Sequence, residues 1–338
     1  MAKYDLISIG DTTTDAFIRL HDASVHCDLD NKNCQLCLSF ADKVPYEDLI
    51  VVPGVGNSSN VAVGAARLGI KSAVFNAIGA DYFGRQILEV YRKEKVGKEF
   101  VKINRNLPTN YHFILNFKAE RTILVKHQEY AYFEPSRIGN ASWIYFSSMG
   151  EYTLSFHHKL AKHLARHPEI RMGFNPGTFQ LKVGTLKLKE IYRHAYALFV
   201  NFEEAMRILS AKGGPASGGK ISNVKLLFRG LHKLGPRIVA ITDGPDGAYV
   251  SDGENQYFMP IYPDPAPPFE RTGAGDAFST GFMSALIHGL PMTEALRWAP
   301  INSMSVVQYT GAQKGLLTKK QLFNYLKKAP KNYHPIKI

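Results

Sequence analysis

The chain has 338 residues, of which 45% are hydrophobic and 21% charged. That is the balance of a globular protein with a full core, and it excludes global disorder, collagen and coiled coil. The 41 Lys and Arg outnumber the 29 Asp and Glu, a net charge of +12, so the surface attracts anions.

Tyr4–Gly10 reads as a short buried strand. It is too short for a signal-peptide core and Asp5 interrupts it. No other run approaches the ~18–20 apolar residues of a membrane span, so a soluble, cytoplasmic chain is expected, with no membrane partner. Ala16–Val52 has no helical period, and its strand-like pieces are short. Ser59–Leu68 predicts a helix packed closely through Ala62, Gly64, Ala65 and Ala66. Ser72–Ile78 predicts a strand and Phe83–Arg92 a helix. Asn110–Phe117 and Thr122–Lys126 alternate with period two, a hairpin turning at Lys118–Arg121. Trp143–Ser147, Arg171–Asn175, Ala197–Asn201 and Ile238–Thr242 are further strands with helices between them. Gly213–Gly219 is a surface loop, and Ala277–His288 is a long apolar helix.

Strand–helix alternation implies an α/β fold: a mostly parallel central sheet covered by helices on both faces. The two stretches that break the alternation form a small β appendage. The expected division is a large α/β unit of residues 1–15, 53–108 and 128–338, with an appendage of residues 16–52 and 109–127.

The strongest motif is Arg271-Thr272-Gly273-Ala274-Gly275-Asp276. Small residues at 273–275 let backbone N–H groups face outward at a helix N-terminus, an anion hole for charge on a transferred phosphoryl group. Asp276 in the first turn is placed to take a proton from a hydroxyl. The segment also has the form of an ordinary Gly-rich cap. Asn201 and Glu204 follow a strand three residues apart. They can order Mg²⁺ through water, and they equally resemble a capping box. Thr242-Asp243-Gly244-Pro245-Asp246-Gly247 ends another strand with glycines that permit close phosphate approach, or an ordinary turn. Asp11, Thr13 and Asp15 after the first strand suit a polyol. Gly54-Val55-Gly56-Asn57-Ser58-Ser59-Asn60 opens the first helix. Gly214 to Ile221 nearly spells a Walker A loop, but Ile221 stands where Ser or Thr belongs and a helix precedes it. No Gly-x-Gly-x-x-Gly follows the first strand, which argues against a nicotinamide enzyme.

On these residues the chain resembles the ribokinase-like (PfkB) carbohydrate kinase family. Thr272–Phe278 matches its C-terminal signature, Gly56–Asn60 its N-terminal one more loosely, and Gly79-x-Asp81-x-x-Gly84 fits as well. The resemblance implies transfer of the ATP γ-phosphoryl group to a sugar or nucleoside hydroxyl with Mg²⁺. Asp276 is then the general base, and Gly273, Ala274 and Gly275 the anion hole. Asp11, Thr13, Asp15, Gly56, Asn57 and Asn60 face the acceptor. Asn201, Glu204, Thr242, Gly244, Gly247, Arg271, Thr272 and Asn302 surround ATP, with Glu204 reaching Mg²⁺ through water. The β appendage corresponds to the family's lid. Val55 replaces one glycine of the N-terminal signature. Glu270 replaces an Asp that helps hold a monovalent cation, which leaves K⁺ activation open.

Cys34-x-x-Cys37 has metal-ligand spacing, and with Cys27 and a histidine such as His21 or His26 it would complete a zinc site. Buried small side chains are the alternative, and three cysteines make no disulfide framework. The acceptor stays open. Asp15 and Asn60 suffice for a free sugar. Phe17, Tyr111 or Phe113 would serve a nucleoside base, and Lys118, Arg121 or Lys126 a sugar phosphate. A non-catalytic sugar or nucleotide sensor needs no carboxylate at 276. Nucleic acid is not expected, because the basic stretches at 91–102, 182–189 and 319–331 carry no aromatic ladder or binding motif. An exposed lid edge allows a homodimer.

Overall fold

The computed structural model describes residues 3–28, 34–118, 120–139, 141–210 and 220–338. In chain order the first strands are β1 (Leu6–Ile9), β2 (Thr13–Leu20), β3 (Ser24–His26), β4 (Gln35–Cys37), β5 (Tyr46–Val55), β6 (Ser72–Gly79), β7 (Gly97–Asn104) and β8 (Tyr111–Phe117). They are followed by β9 (Glu120–Leu124), β10 (Trp143–Phe146), β11 (Arg171–Phe174), β12 (Ala195–Asn201), β13 (Ile238–Thr242), β14 (Ala248–Ser251), β15 (Gln256–Met259) and β16 (Ile336–Lys337).

In the main sheet β7, β6, β1, β10, β11, β12 and β13 run parallel in that order, and β14, β15 and β16 extend it antiparallel. Its interior strands are apolar on both faces because helices cover both. Along β10, Ile144 and Phe146 enter one core with Phe75 and Phe174, while Trp143 and Tyr145 enter the other with Phe278 and Phe282. The chain builds outward from β1 to β6 and β7, then returns to β10 on the other side. That reversal opens a crevice at the C-terminal edge, where α/β sheets bind ligands.

Glycines let the helices behind that crevice come close. A Cβ on Gly64 of the helix Asn57–Arg67 would lie 2.5 Å from Thr280 Cγ2 of the helix Ala274–Ile287. One on Gly281 would lie 2.9 Å from Ala299 Cα of the helix Met292–Val306. Close packing therefore ties both signature helices to one rigid block.

The second sheet has the order β5–β2–β8–β9. Its strands β2 and β5 are longer than the short pieces expected for 16–52, because each gains a full ladder from a partner distant in sequence. The hairpin β8–β9 turns tighter than expected, with Lys118 at positive φ. Register sorts the side chains. Asp15 pairs with His112, Phe17 with Ile114, and Arg19 with Asn116, which in turn faces Arg121. Phe17 and Ile114 are buried and Arg19 stacks over Phe269, so this face looks at the main domain. Tyr111 lies on the opposite face, its ring 4.7 Å from that of Phe83.

The ribbon β3–β4 corrects the zinc expectation. Cys27 and Cys34 are joined as a disulfide, and Cys37 alone is a free thiol. Sulfurs bonded to each other are not thiolates, so the three-cysteine ligand set does not exist. Among the described residues no group of three or more His, Cys, Asp or Glu can hold a metal. The Gly213–Gly219 loop and most of the near-Walker run lie outside the described residues; Lys220 begins the helix Lys220–His232. No helix among the described residues is long and apolar enough to cross a membrane.

Candidate active site

Gly273 caps the helix Ala274–Ile287 in the left-handed region, φ 80°. It carries no Cβ for a second reason: one would overlap Ala312. At Gly275 a Cβ would meet nothing within 4 Å, so the backbone there borders open space. Asp276 follows, 7% exposed. Its carboxylate accepts from Asn57 Nδ2 at 2.9 Å and from Asn60 Nδ2 at 2.7 Å. Burial pushes its carboxyl up to about 6, against the two amide hydrogen bonds, which lower it, and with help from the charge of Glu204.

The two amides are themselves held. Gln313 Nε2 donates to Asn60 Oδ1 at 3.1 Å and to the Gly54 carbonyl at 2.7 Å. Arg67 fixes that turn by donating to the carbonyls of Gln313 and Leu316, with Glu94 as its carboxylate partner. Asn175 supports Asn57 from β11: its Oδ1 lies 3.5 Å from Asn57 Nδ2, and its own Nδ2 donates to the Phe199 carbonyl at 2.8 Å. Gln313 and Asn175 escaped the sequence reading. Asn175, directly after a parallel strand, carried the signal that could have found it.

A cavity of about 540 Å³ opens in front of Asp276. Its wall includes Asn57, expected at the acceptor, with Asn201, Glu204, Thr242, Gly244, Gly247 and Arg271, expected at ATP, and Gly273–Asp276. Asn201 and Glu204 do form a capping box: the Asn201 N–H donates to Glu204 Oε2 and the Glu204 N–H to Asn201 Oδ1, both at 2.8 Å. The two residues of the box also line the cavity. Arg121 reaches the wall from the second sheet. Asn302 is not brought there. It is fully buried, donating to the Ala277 carbonyl and accepting from the Leu317 N–H, while its neighbours Ser303 and Met304 line the cavity. Thr272 Oγ1 is buried without a hydrogen-bond partner.

On the other side of Asn57, Gly56 (φ 106°) lets the chain pass Asp11: a Cβ there would lie 2.8 Å from the Asp11 carbonyl oxygen. Asp11 accepts from the Tyr132 hydroxyl, and His127 Nδ1 lies 3.0 Å from its other oxygen. Thr13 spends its hydroxyl on backbone carbonyls, including that of Asn110. Asp15 is pushed up to about 7 by burial, which the Thr13 hydroxyl opposes and Glu270 reinforces.

Residues 40–319 match the pfkB family carbohydrate kinase description. The chain is 27% identical over 280 residues to ribokinase of Bacillus subtilis, covering 80% of this chain and 86% of that protein. It is 27% identical over 270 residues to cytidine kinase of Thermococcus kodakarensis, covering 73% of this chain and 85% of that protein. Among solved structures it superposes on Arabidopsis thaliana ribokinase complexed with ribose and ATP at a TM-score of 0.79, with 19% identity, covering 97% of this chain and 99% of that one. The chain thus belongs to the pfkB family of carbohydrate kinases, with the ribokinase-like fold and a phosphotransferase activity of the sugar and nucleoside kinase type.

Proposed function

We propose that the chain transfers the γ-phosphoryl group of ATP to a hydroxyl of a sugar, with Asp276 as general base. The observation that carries this reading is the Asp276 carboxylate itself. It is buried, aimed by two amide donors, and placed in the first helical turn beside the open backbone at Gly275. Asp276 takes the proton as the acceptor oxygen attacks the γ-phosphorus. The bond from phosphorus to the β–γ bridging oxygen breaks, and ADP leaves. The N–H groups at 273–275 and the helix dipole meet the negative charge of the transferring group.

Arg271 and Arg121, both on the cavity wall, face the triphosphate. Mg²⁺ would supply further neutralisation, and the Glu204 carboxylate on the cavity wall is the group that would hold it. Burial raises the Glu204 carboxyl, so a nearby cation favours its ionised form. Glu270 Oε1 is buried without a partner while Oε2 accepts from the Gly311 N–H, an arrangement that suits a monovalent cation. The second sheet (β5–β2–β8–β9) acts as a lid that excludes water from the acceptor.

The test is Asp276→Asn, assayed by coupled ADP release over pentoses, hexoses, nucleosides and their phosphates, with and without K⁺. The variant is expected to fold and bind ATP but to lose turnover by ~10²-fold or more. Near-normal turnover refutes the role.

A further inference from the structure

Two histidines outside the signature motifs stand beside Asp11 and Asp15. His112 stands directly across from Asp15 on the inner face of the second sheet, Nδ1 3.6 Å from Oδ1. His127 pairs with Asp11 at 3.0 Å, and the two imidazole rings meet edge to face at 5.5 Å. The Tyr132 hydroxyl donates to Asp11, and Tyr152 lies 3.4 Å beyond it. This group joins the base through one short run of chain: Ser58 Oγ donates to the Asp11 carbonyl at 3.2 Å, between the two asparagines that hold Asp276.

Three atoms of this group are buried with no hydrogen-bond partner: Asp11 Oδ2, which lies 3.0 Å from His127 Nδ1, Asp15 Oδ1 and His112 Nε2. Leaving such atoms unpaired is costly, so a ligand that satisfies them gains affinity. A neutral imidazole and a carboxyl group side by side ask for groups that both donate and accept, which adjacent hydroxyls do. Burial holds His112 down to about 4, so its ring is neutral at pH 7. A planar base finds no slot from Tyr111 or Phe113, whose register places them on the opposite face, and Phe17 on the inner face is itself buried. A phosphate placed against Asp11 and Asp15 meets two carboxyl groups, and Arg19 and Arg121 project from the inner face four residues further along their strands, about 13 Å between backbones.

We propose that His112 and His127, braced by Asp15 and Asp11, are the specificity-determining residues of the acceptor pocket, and that the acceptor is an unphosphorylated sugar presenting adjacent hydroxyls to them. This rests on the kinase reading for the reaction, though not for the binding.

The experiment measures both. Equilibrium binding of a panel of free pentoses and hexoses, nucleosides and sugar phosphates is recorded for the wild type, Asp276→Asn, His112→Ala, His112→Gln and His127→Ala, alongside KM and kcat. Melting temperatures confirm that each variant is folded. The expected result is a free sugar bound by the wild type and by Asp276→Asn. In the two alanine variants binding weakens and acceptor KM rises about tenfold or more, as a polar site loses a hydroxyl partner. KM for ATP stays unchanged, and His112→Gln partly restores the loss. If the wild type binds the sugar with the same variant pattern but phosphorylates nothing, the kinase reading falls and this pocket stands. Preferential binding of a sugar phosphate, no binding of any free sugar, or alanine variants that bind as the wild type does overturns the proposal.

Discussion

Asp276 carries opposed demands. Its folded carboxyl sits at about 6, above the unfolded value, so the protein is most stable with that proton on. The stability is fully present below pH ~4 and is lost as pH rises through about 6, by up to ~3 kcal/mol. Catalysis needs the proton off, so turnover should rise with pH through about 6 and then level. Melting temperatures of wild type and Asp276→Asn at pH 4.5 and 8 check the first statement: the variant should gain on the wild type at the higher pH. A constant difference contradicts it. At Asp15 the sign for binding is similar. The group sits at about 7 and faces His112, Thr13 and Glu270. Hydroxyl donors favour its ionised form, so acceptor KM should fall as pH rises through about 7, a trend that Asp15→Asn removes.

The helix Ala274–Ile287 separates structural from functional glycines. Gly273 is required by the fold, through its positive φ and the overlap a Cβ makes with Ala312. Gly273→Ala should cost about 1–3 kcal/mol and lose activity with it. Gly275 faces open space, so Gly275→Ala should melt like the wild type. It should still lose turnover, because the methyl group enters the room for the transferring phosphoryl group. Thermal melts beside ADP-release rates distinguish the two; a destabilised Gly275→Ala or a fully active Gly273→Ala overturns the assignment. This distinction was not legible in the sequence, where both glycines belong to one run. The run itself was legible, as were the capping box and the first helix, because local spacing sets those. Asn302 was placed at the nucleotide by its position alone, and the packing of two helices instead buried it with both amide ends satisfied.

In the whole molecule, β5 forms one edge of the second sheet, with no further strand on it among the described residues and with Leu49, Ile50 and Val51 substantially exposed. An edge of this kind pairs most simply with its own copy. Light scattering is expected to give a homodimer that Val51→Lys dissociates, and a monomeric wild type refutes it.

The alternation of strands and helices, the two β excursions, and the glycines and Asp276 at the C-terminal edge were fixed by the sequence itself, because hydrophobic period and turn chemistry act over a few residues. Only the tertiary structure turned the Asn57 and Asn60 amides onto the Asp276 carboxylate, more than two hundred residues along the chain, and set Gln313 behind Asn60. It also set His112 and His127 against Asp15 and Asp11, and joined Cys27 to Cys34 in place of a metal. Strand register and helix contact decide such meetings, and neither leaves a mark in local spacing.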